Sequence, residues 1–195
     1  MKDQIQKSKI VLIGYRATGK TTIASELASR WGFDWVDVDV AIEERACKSI
    51  ARIFREDGER AFRELEAELV AELLTAPGPL VVATGGGAPL REDTRRVMRE
   101  RGVVVWLTAS VDTIARRMSG DASTSSRRPS LTGATSPVAE ISTVLASREP
   151  IYRSVADVTV DTDGKTVDEI VEEILDQAPG FFLIGRRNAF ACGDA

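Results

Sequence analysis

The nine residues GYRATGKTT, positions 14 to 22, narrow the folds open to this chain more than any other stretch. An apolar run, KIVLI, leads into them, and Ile23, Leu27 and Trp31 follow at helical spacing. Gly14, Gly19, Lys20 and Thr21 fit G-x-x-x-x-G-K-[ST], a pattern that belongs between a strand and a helix. Its glycines let successive N–H groups turn inward, and the helix amino terminus adds partial positive charge facing an anion. The expected nucleotide contacts are Gly14, Ala17, Thr18, Gly19, Lys20, Thr21 and Thr22. Lys20 would reach the β and γ phosphates, and the Thr21 hydroxyl would ligate magnesium. A glycine-rich turn that binds nothing is the plain alternative. The guanine readout of GTPase switches calls for an asparagine followed closely by lysine and aspartate. The one asparagine here is Asn188, near the carboxyl end, which leaves ATP.

Charge and composition exclude several classes. A net charge of −4 argues against broad nucleic-acid binding, which needs a basic surplus. The absence of histidine removes triad hydrolases and confines any general base to carboxylate, lysine, tyrosine or thiol. Cys47 and Cys192 imply neither a disulfide framework nor a zinc site. No run of eighteen apolar residues occurs, and MKDQIQKSK has no apolar signal region, so the expectation is a cytoplasmic protein without membrane contact.

Short apolar segments at Ile10–Ile13, Trp35–Asp37, Leu80–Thr84, Val103–Leu107 and Ala156–Val160 read as strands. Helical spacing fills 21–31, 57–74, 91–101, 111–118, 137–147 and 167–176, the last opened by a Thr166/Glu169 capping box. This alternation predicts an α/β fold of the P-loop NTPase kind, with a five-stranded parallel sheet flanked by helices on both faces. Residues 1–177 form one expected domain, with 178–195 as a tail of unassigned role. Residues 119–136, small, polar and rich in serine, read as a mobile lid, or equally as a surface linker.

After the second strand comes DVDVAIEE. If that segment is extended, Asp37 and Asp39 point to one side with Cα atoms about 6.5 Å apart. One could then hold hydrated magnesium while the other meets an acceptor hydroxyl. The alternative is that the pair caps a helix beginning near Val40.

From about Ile10 to Asp176 the chain resembles the shikimate kinase family. GYRATGKTT resembles its phosphate loop, VDVDVAIEE its acidic pair and SIARIFREDGERAFRELE its acceptor-binding helices. ATGGGA resembles its glycine triplet, RRPSL its lid and SREPIYRSVADVTVDT its late arginine and adenine-side segment. The resemblance implies transfer of the γ phosphate of ATP to the 3-hydroxyl of shikimate, a step toward chorismate and the aromatic amino acids. It implies Lys20, Asp39 and Arg128 as catalytic residues, with Asp39 at the reacting hydroxyl and Asp37 on magnesium through water. It implies Arg63 and Arg148 on the acceptor carboxylate, and Gly85, Gly86 and Gly87 against its ring. Phe54 and Phe62 resemble pocket aromatics and fit an ordinary core equally well. Arg128, or Arg127 beside it, matches the arginine that closes over the phosphoryl group. Arg117, or Arg116, matches the one that stacks on adenine, with Thr162 to Gly164 on the other face.

Two departures stand out. Ala83 occupies a place where many relatives carry a hydroxyl, leaving Thr84 to supply it, and the lid is longer and richer in serine than the pattern. The expected protein is a monomer that binds ATP, magnesium and shikimate. The other readings are a related small-molecule kinase, such as a gluconate kinase, and a nucleotide-binding regulatory module without turnover.

Overall fold

The structure, a computed structural model, describes residues 7–120 and 137–178. Five parallel strands form one sheet in the order β2-β3-β1-β4-β5: β1 Lys9–Ile13, β2 Asp34–Asp37, β3 Leu80–Ala83, β4 Gly102–Thr108 and β5 Val158–Asp161. The central strands are near-continuous Val, Ile and Leu because both faces are covered. Their alternation divides the core. Ile10, Leu12, Val81, Ala83, Val105 and Leu107 face one layer of helices, while Val11, Ile13, Val82, Val104 and Trp106 face the other.

The first layer is α1 (Lys20–Trp31), and the second contains α2 (Val38–Ala46), α3 (Ile50–Glu56), α4 (Gly58–Thr75) and α5 (Glu92–Arg101). Next come α6 (Val111–Gly120), α7 (Pro137–Val155), and α8 (Val167–Gln177), which joins α1 in the first layer. The Thr166/Glu169 capping box is present at the start of α8. Because all five strands run the same way, their carboxyl ends lie along one edge, where open α/β sheets bind ligands. The phosphate loop leaves β1 there, Asp37 ends β2, Thr84 follows β3, and Thr162 follows β5.

Three elements differ from expectation. Helix α2 begins at Val38, so Asp37 and Asp39 do not alternate on an extended segment. The Asp37 carboxylate caps α2 by accepting the Asp39 and Val40 amides, and Asp39 lies in the first turn. Helix α3 is not among the helices expected from spacing; Asp57 alone separates it from α4, which opens on Gly58 at φ 85°. Helix α7 continues through Pro150 to Val155 instead of ending at Ser147. Proline disfavours a helical preceding residue and removes one backbone hydrogen bond. Burial of Tyr152 and Val155 on the far side of Pro150 outweighs that loss.

Candidate active site

The phosphate loop is shaped by close approach to β4. Gly14 has φ 141°, and a Cβ there would lie 2.4 Å from the Leu107 carbonyl oxygen and 3.1 Å from Thr18 Oγ1. The nearer obstacle is strand backbone, which cannot swing aside as a side chain would. Gly14→Ala is therefore expected to destabilise the fold by about 2–4 kcal/mol, read as a lowered denaturation midpoint. Ala17 adopts φ 62° within the same loop, an uncommon conformation for a residue with a side chain. The Thr18 hydroxyl donates to the Tyr15 carbonyl at 2.8 Å and pins the turn.

Lys20, largely buried, donates from Nζ to the carbonyls of Tyr15 at 2.7 Å and Gly14 at 3.1 Å. The ammonium is thus held inside the loop by the loop's own carbonyls. Beside it the Thr21 hydroxyl donates to Asp37 Oδ2 at 2.6 Å, so the start of α1 and the end of β2 meet in one pair of hard oxygen ligands. Among the described residues no group of three or more His, Cys, Asp or Glu side chains could hold a metal alone. The Thr21/Asp37 pair instead suits magnesium, which takes one or two protein ligands and completes its shell with phosphate and water. The Thr84 hydroxyl, the neighbour of Ala83, donates to the Leu12 carbonyl at 2.9 Å and keeps its lone pairs as acceptors. Ala83 itself is buried in the layer under α1.

The acceptor side converges on the glycine run after β3. Arg63, on α4, donates to Glu66 Oε2 at 2.7 Å and to Glu59 Oε1 at 3.2 Å. Glu66 is only 2% exposed, so it is a fixed counter-charge that aims the guanidinium. The guanidinium lies against Gly87: a Cβ there would sit 2.3 Å from Arg63 Nη1. Arg148, on α7, donates to the Gly86 carbonyl at 3.2 Å, and Tyr152 one turn further donates to the same oxygen at 2.6 Å. Gly85, Gly86 and Gly87 are all buried. Arg63 and Arg148 therefore converge on adjacent glycines. Phe62 is fully buried beneath Arg63, whose guanidinium carbon is 5.2 Å from the ring centroid, and half-buried Phe54 packs on it at 4.8 Å. Phe62 is core first, with Phe54 nearer the surface.

On the far side of the loop, Arg117 donates to the Ala17 carbonyl at 3.2 Å, the Thr162 hydroxyl at 3.0 Å and the Thr162 carbonyl at 2.9 Å. Arg116 is exposed and, among the described residues, donates to the nearby Thr113 hydroxyl at 3.2 Å. Of the two arginines, Arg117 is the one joined to both the phosphate loop and the turn after β5. In that turn the Ser110 side chain holds the Asp163 carboxyl below its ordinary range, and the Ser110 amide donates to it at 3.1 Å. Arg128 and Arg127 lie outside the described residues, as do 121–136 of the expected lid; residues 119 and 120 close helix α6. Tyr152 lies beyond Ser147, where helical spacing places the end of this helix, although its i, i+4 spacing from Arg148 carries the signal.

The family model for shikimate kinase matches residues 16–179. The chain belongs to the shikimate kinase family. It is 42% identical over 177 residues to the shikimate kinase of Rhodopirellula baltica, covering 91% of this chain and 94% of that one. The shikimate kinase of Geobacter sulfurreducens is 43% identical over 165 residues, covering 85% and 87%. Among solved structures, the shikimate kinase of Acinetobacter baumannii in complex with shikimate superposes with TM-score 0.80 at 32% identity, covering 90% of this chain and 94% of that one. A gluconokinase from Sinorhizobium meliloti superposes with TM-score 0.60 at 19% identity, a likeness of fold alone.

Proposed function

We propose that this chain transfers the γ phosphate of ATP to the 3-hydroxyl of shikimate, giving shikimate 3-phosphate and ADP. The observation that carries the reading is the convergence of Arg63 and Arg148 on consecutive glycines, across from the phosphate loop. Two guanidiniums at one place suit a planar carboxylate, which forks can bind through paired charge-assisted hydrogen bonds. A gluconate carboxylate would be met by the same groups. Whole-chain identity to shikimate kinases, against fold-level likeness to a gluconokinase, favours shikimate.

In this reading the loop amides and Lys20 grip the triphosphate, with Lys20 leaving the carbonyls of Gly14 and Tyr15 for the β and γ oxygens. Asp39 accepts the hydrogen bond of the acceptor hydroxyl and takes its proton as the new O–P bond forms and the bond to the β-phosphate oxygen breaks. Positioning and charge neutralisation supply most of the acceleration in phosphoryl transfer, so a weak carboxylate base suffices. Thr21 and, through water, Asp37 would hold magnesium, which screens the charge on the phosphates. Arg117 serves the adenine side, Arg128 the transferring phosphoryl group. The protein works as a cytoplasmic monomer on two small molecules, without nucleic acid or membrane. Among the described residues no helix is long and apolar enough to cross a membrane.

A coupled assay of ADP release across shikimate, gluconate and nucleoside monophosphates tests this directly. The expected result is magnesium-dependent turnover with shikimate alone. Turnover with gluconate and not shikimate overturns the acceptor assignment, and no turnover with any acceptor favours the regulatory module.

A further inference from the structure

Two loop residues that the phosphate reading leaves without a role, Tyr15 and Arg16, reach instead to helices α6 and α7. Tyr15 is 1% exposed and packs in a small apolar cluster with Ile114 of α6 and Ile141 and Val144 of α7. Arg16 donates from Nη2 to Glu140 Oε1 at 2.8 Å, with side-chain exposures of 16% and 10%. Salt screens such a pair far less than one in open solvent. Glu140 lies in the first turn of α7, where the helix amino terminus favours a carboxylate.

The same helix carries the acceptor side. Ile141, Val144, Arg148, Tyr152 and Val155 recur at three- and four-residue spacing, so one stripe of α7 faces the body of the protein. From Glu140 to Arg148 is about 12 Å along the axis. The helix is therefore held at two places: by Arg16 near its start, and by the Gly86 carbonyl, which accepts from Arg148 and Tyr152. Gly86 in turn abuts the phosphate loop, since a Cβ on it would lie 3.1 Å from the Gly14 carbonyl oxygen and 3.6 Å from the Arg16 amide. Loop, helix and glycine run close a triangle, and three fixed sides define the place of Arg148.

We propose that Arg16 is a positioning residue for the acceptor: its ion pair with Glu140 sets the stance of α7 and, through it, the place of Arg148. A phosphate-loop residue thus governs affinity for shikimate more than affinity for ATP. The proposal rests on the assignment of Arg148 to the acceptor carboxylate.

The test compares the full-length protein with Arg16→Ala, Glu140→Ala, the double variant and Arg16→Lys, measuring KM for each substrate and kcat. Each alanine variant is expected to raise the shikimate KM about tenfold while the ATP KM moves less than about threefold. The double variant should match the singles instead of multiplying them, and Arg16→Lys, which keeps the charge, should recover most of the loss. A larger rise in the ATP KM for Arg16→Ala, with Glu140→Ala silent, makes Arg16 a direct phosphate ligand and overturns the proposal; so does a multiplicative double variant. Amide exchange supplies a readout independent of turnover. Loss of the pair should speed exchange across 140–152 and leave α1 unchanged, and unchanged exchange in α7 also overturns the tether. If the parent protein fails to phosphorylate shikimate, the acceptor assignment fails by itself while the exchange result still decides the tether.

Discussion

Lys20→Met is expected to lower kcat with shikimate by about 10²–10³-fold while the shikimate KM stays within about threefold. The reasoning begins from where the ammonium rests. It donates to two neutral carbonyls, Gly14 and Tyr15, at 3.1 and 2.7 Å. A phosphate oxygen carrying negative charge offers a stronger hydrogen bond than either, so the lysine moves a short way to a better partner. Its greatest contribution comes when charge builds on the β–γ bridge during transfer. Methionine keeps much of the apolar stem and the packing beneath the loop, and removes the charge. It also withdraws the donor to two carbonyls, which carries a stability cost of about 1–3 kcal/mol in a buried setting. Circular dichroism and a denaturation midpoint on the same sample separate that cost from the catalytic loss. A kcat within threefold of the parent contradicts the assignment of Lys20 to the transferring phosphate.

The legible parts of this protein are those whose signal is local. Five short runs became five strands: the central β1, β3 and β4 are apolar along nearly their whole length because both faces are covered, while the edge strands β2 and β5 carry exposed positions. The phosphate loop was legible because Gly14 and Gly19 hold positive φ angles, 141° and 91°, that favour glycine, and Gly14 also approaches Leu107 in a strand ninety-odd residues later. The Asp37/Asp39 pair was legible as residues but not as geometry. Spacing leaves both an extended pair and a helix cap open, and the Asp37 carboxylate takes the second, ending β2 by capping α2. One carboxylate therefore accepts from two amides and also from Thr21, a combination that spacing alone does not distinguish from two side chains facing one way. The far half of α7 was illegible for the opposite reason. Pro150 signals a stop locally, and only long-range burial of Tyr152 against Trp106, with ring centroids 5.8 Å apart, overrules it. The pairing of Arg16 with Glu140 spans 124 positions and has no sequence signature at all.

Arg63→Ala is expected to raise the shikimate KM by about 10²-fold, with the ATP KM nearly unchanged. The guanidinium is oriented before any ligand arrives: Glu66 and Glu59 take donors on one side, and Gly87 leaves the space against which it lies. Truncation removes one arm of the carboxylate clamp, but it also takes the counter-charge from Glu66, which is 2% exposed. Breaking a buried pair in that way can cost about 3–5 kcal/mol of stability, enough to mimic a binding defect by unfolding. Three variants separate the effects. Arg63→Lys keeps a positive charge near Glu66 and loses the fork, so its stability should hold while the KM still rises about tenfold. Arg63→Ala with Glu66→Gln removes both charges, recovering stability without recovering affinity. Gly87→Ala leaves every charge in place and drives a methyl to 2.3 Å from Arg63 Nη1, so the guanidinium must shift and the KM must rise with no loss of the ion pair as such. If calorimetry finds shikimate affinity unchanged in both Arg63→Lys and the double variant, Arg63 is a structural ion-pair member, and Arg148 alone meets the acid group.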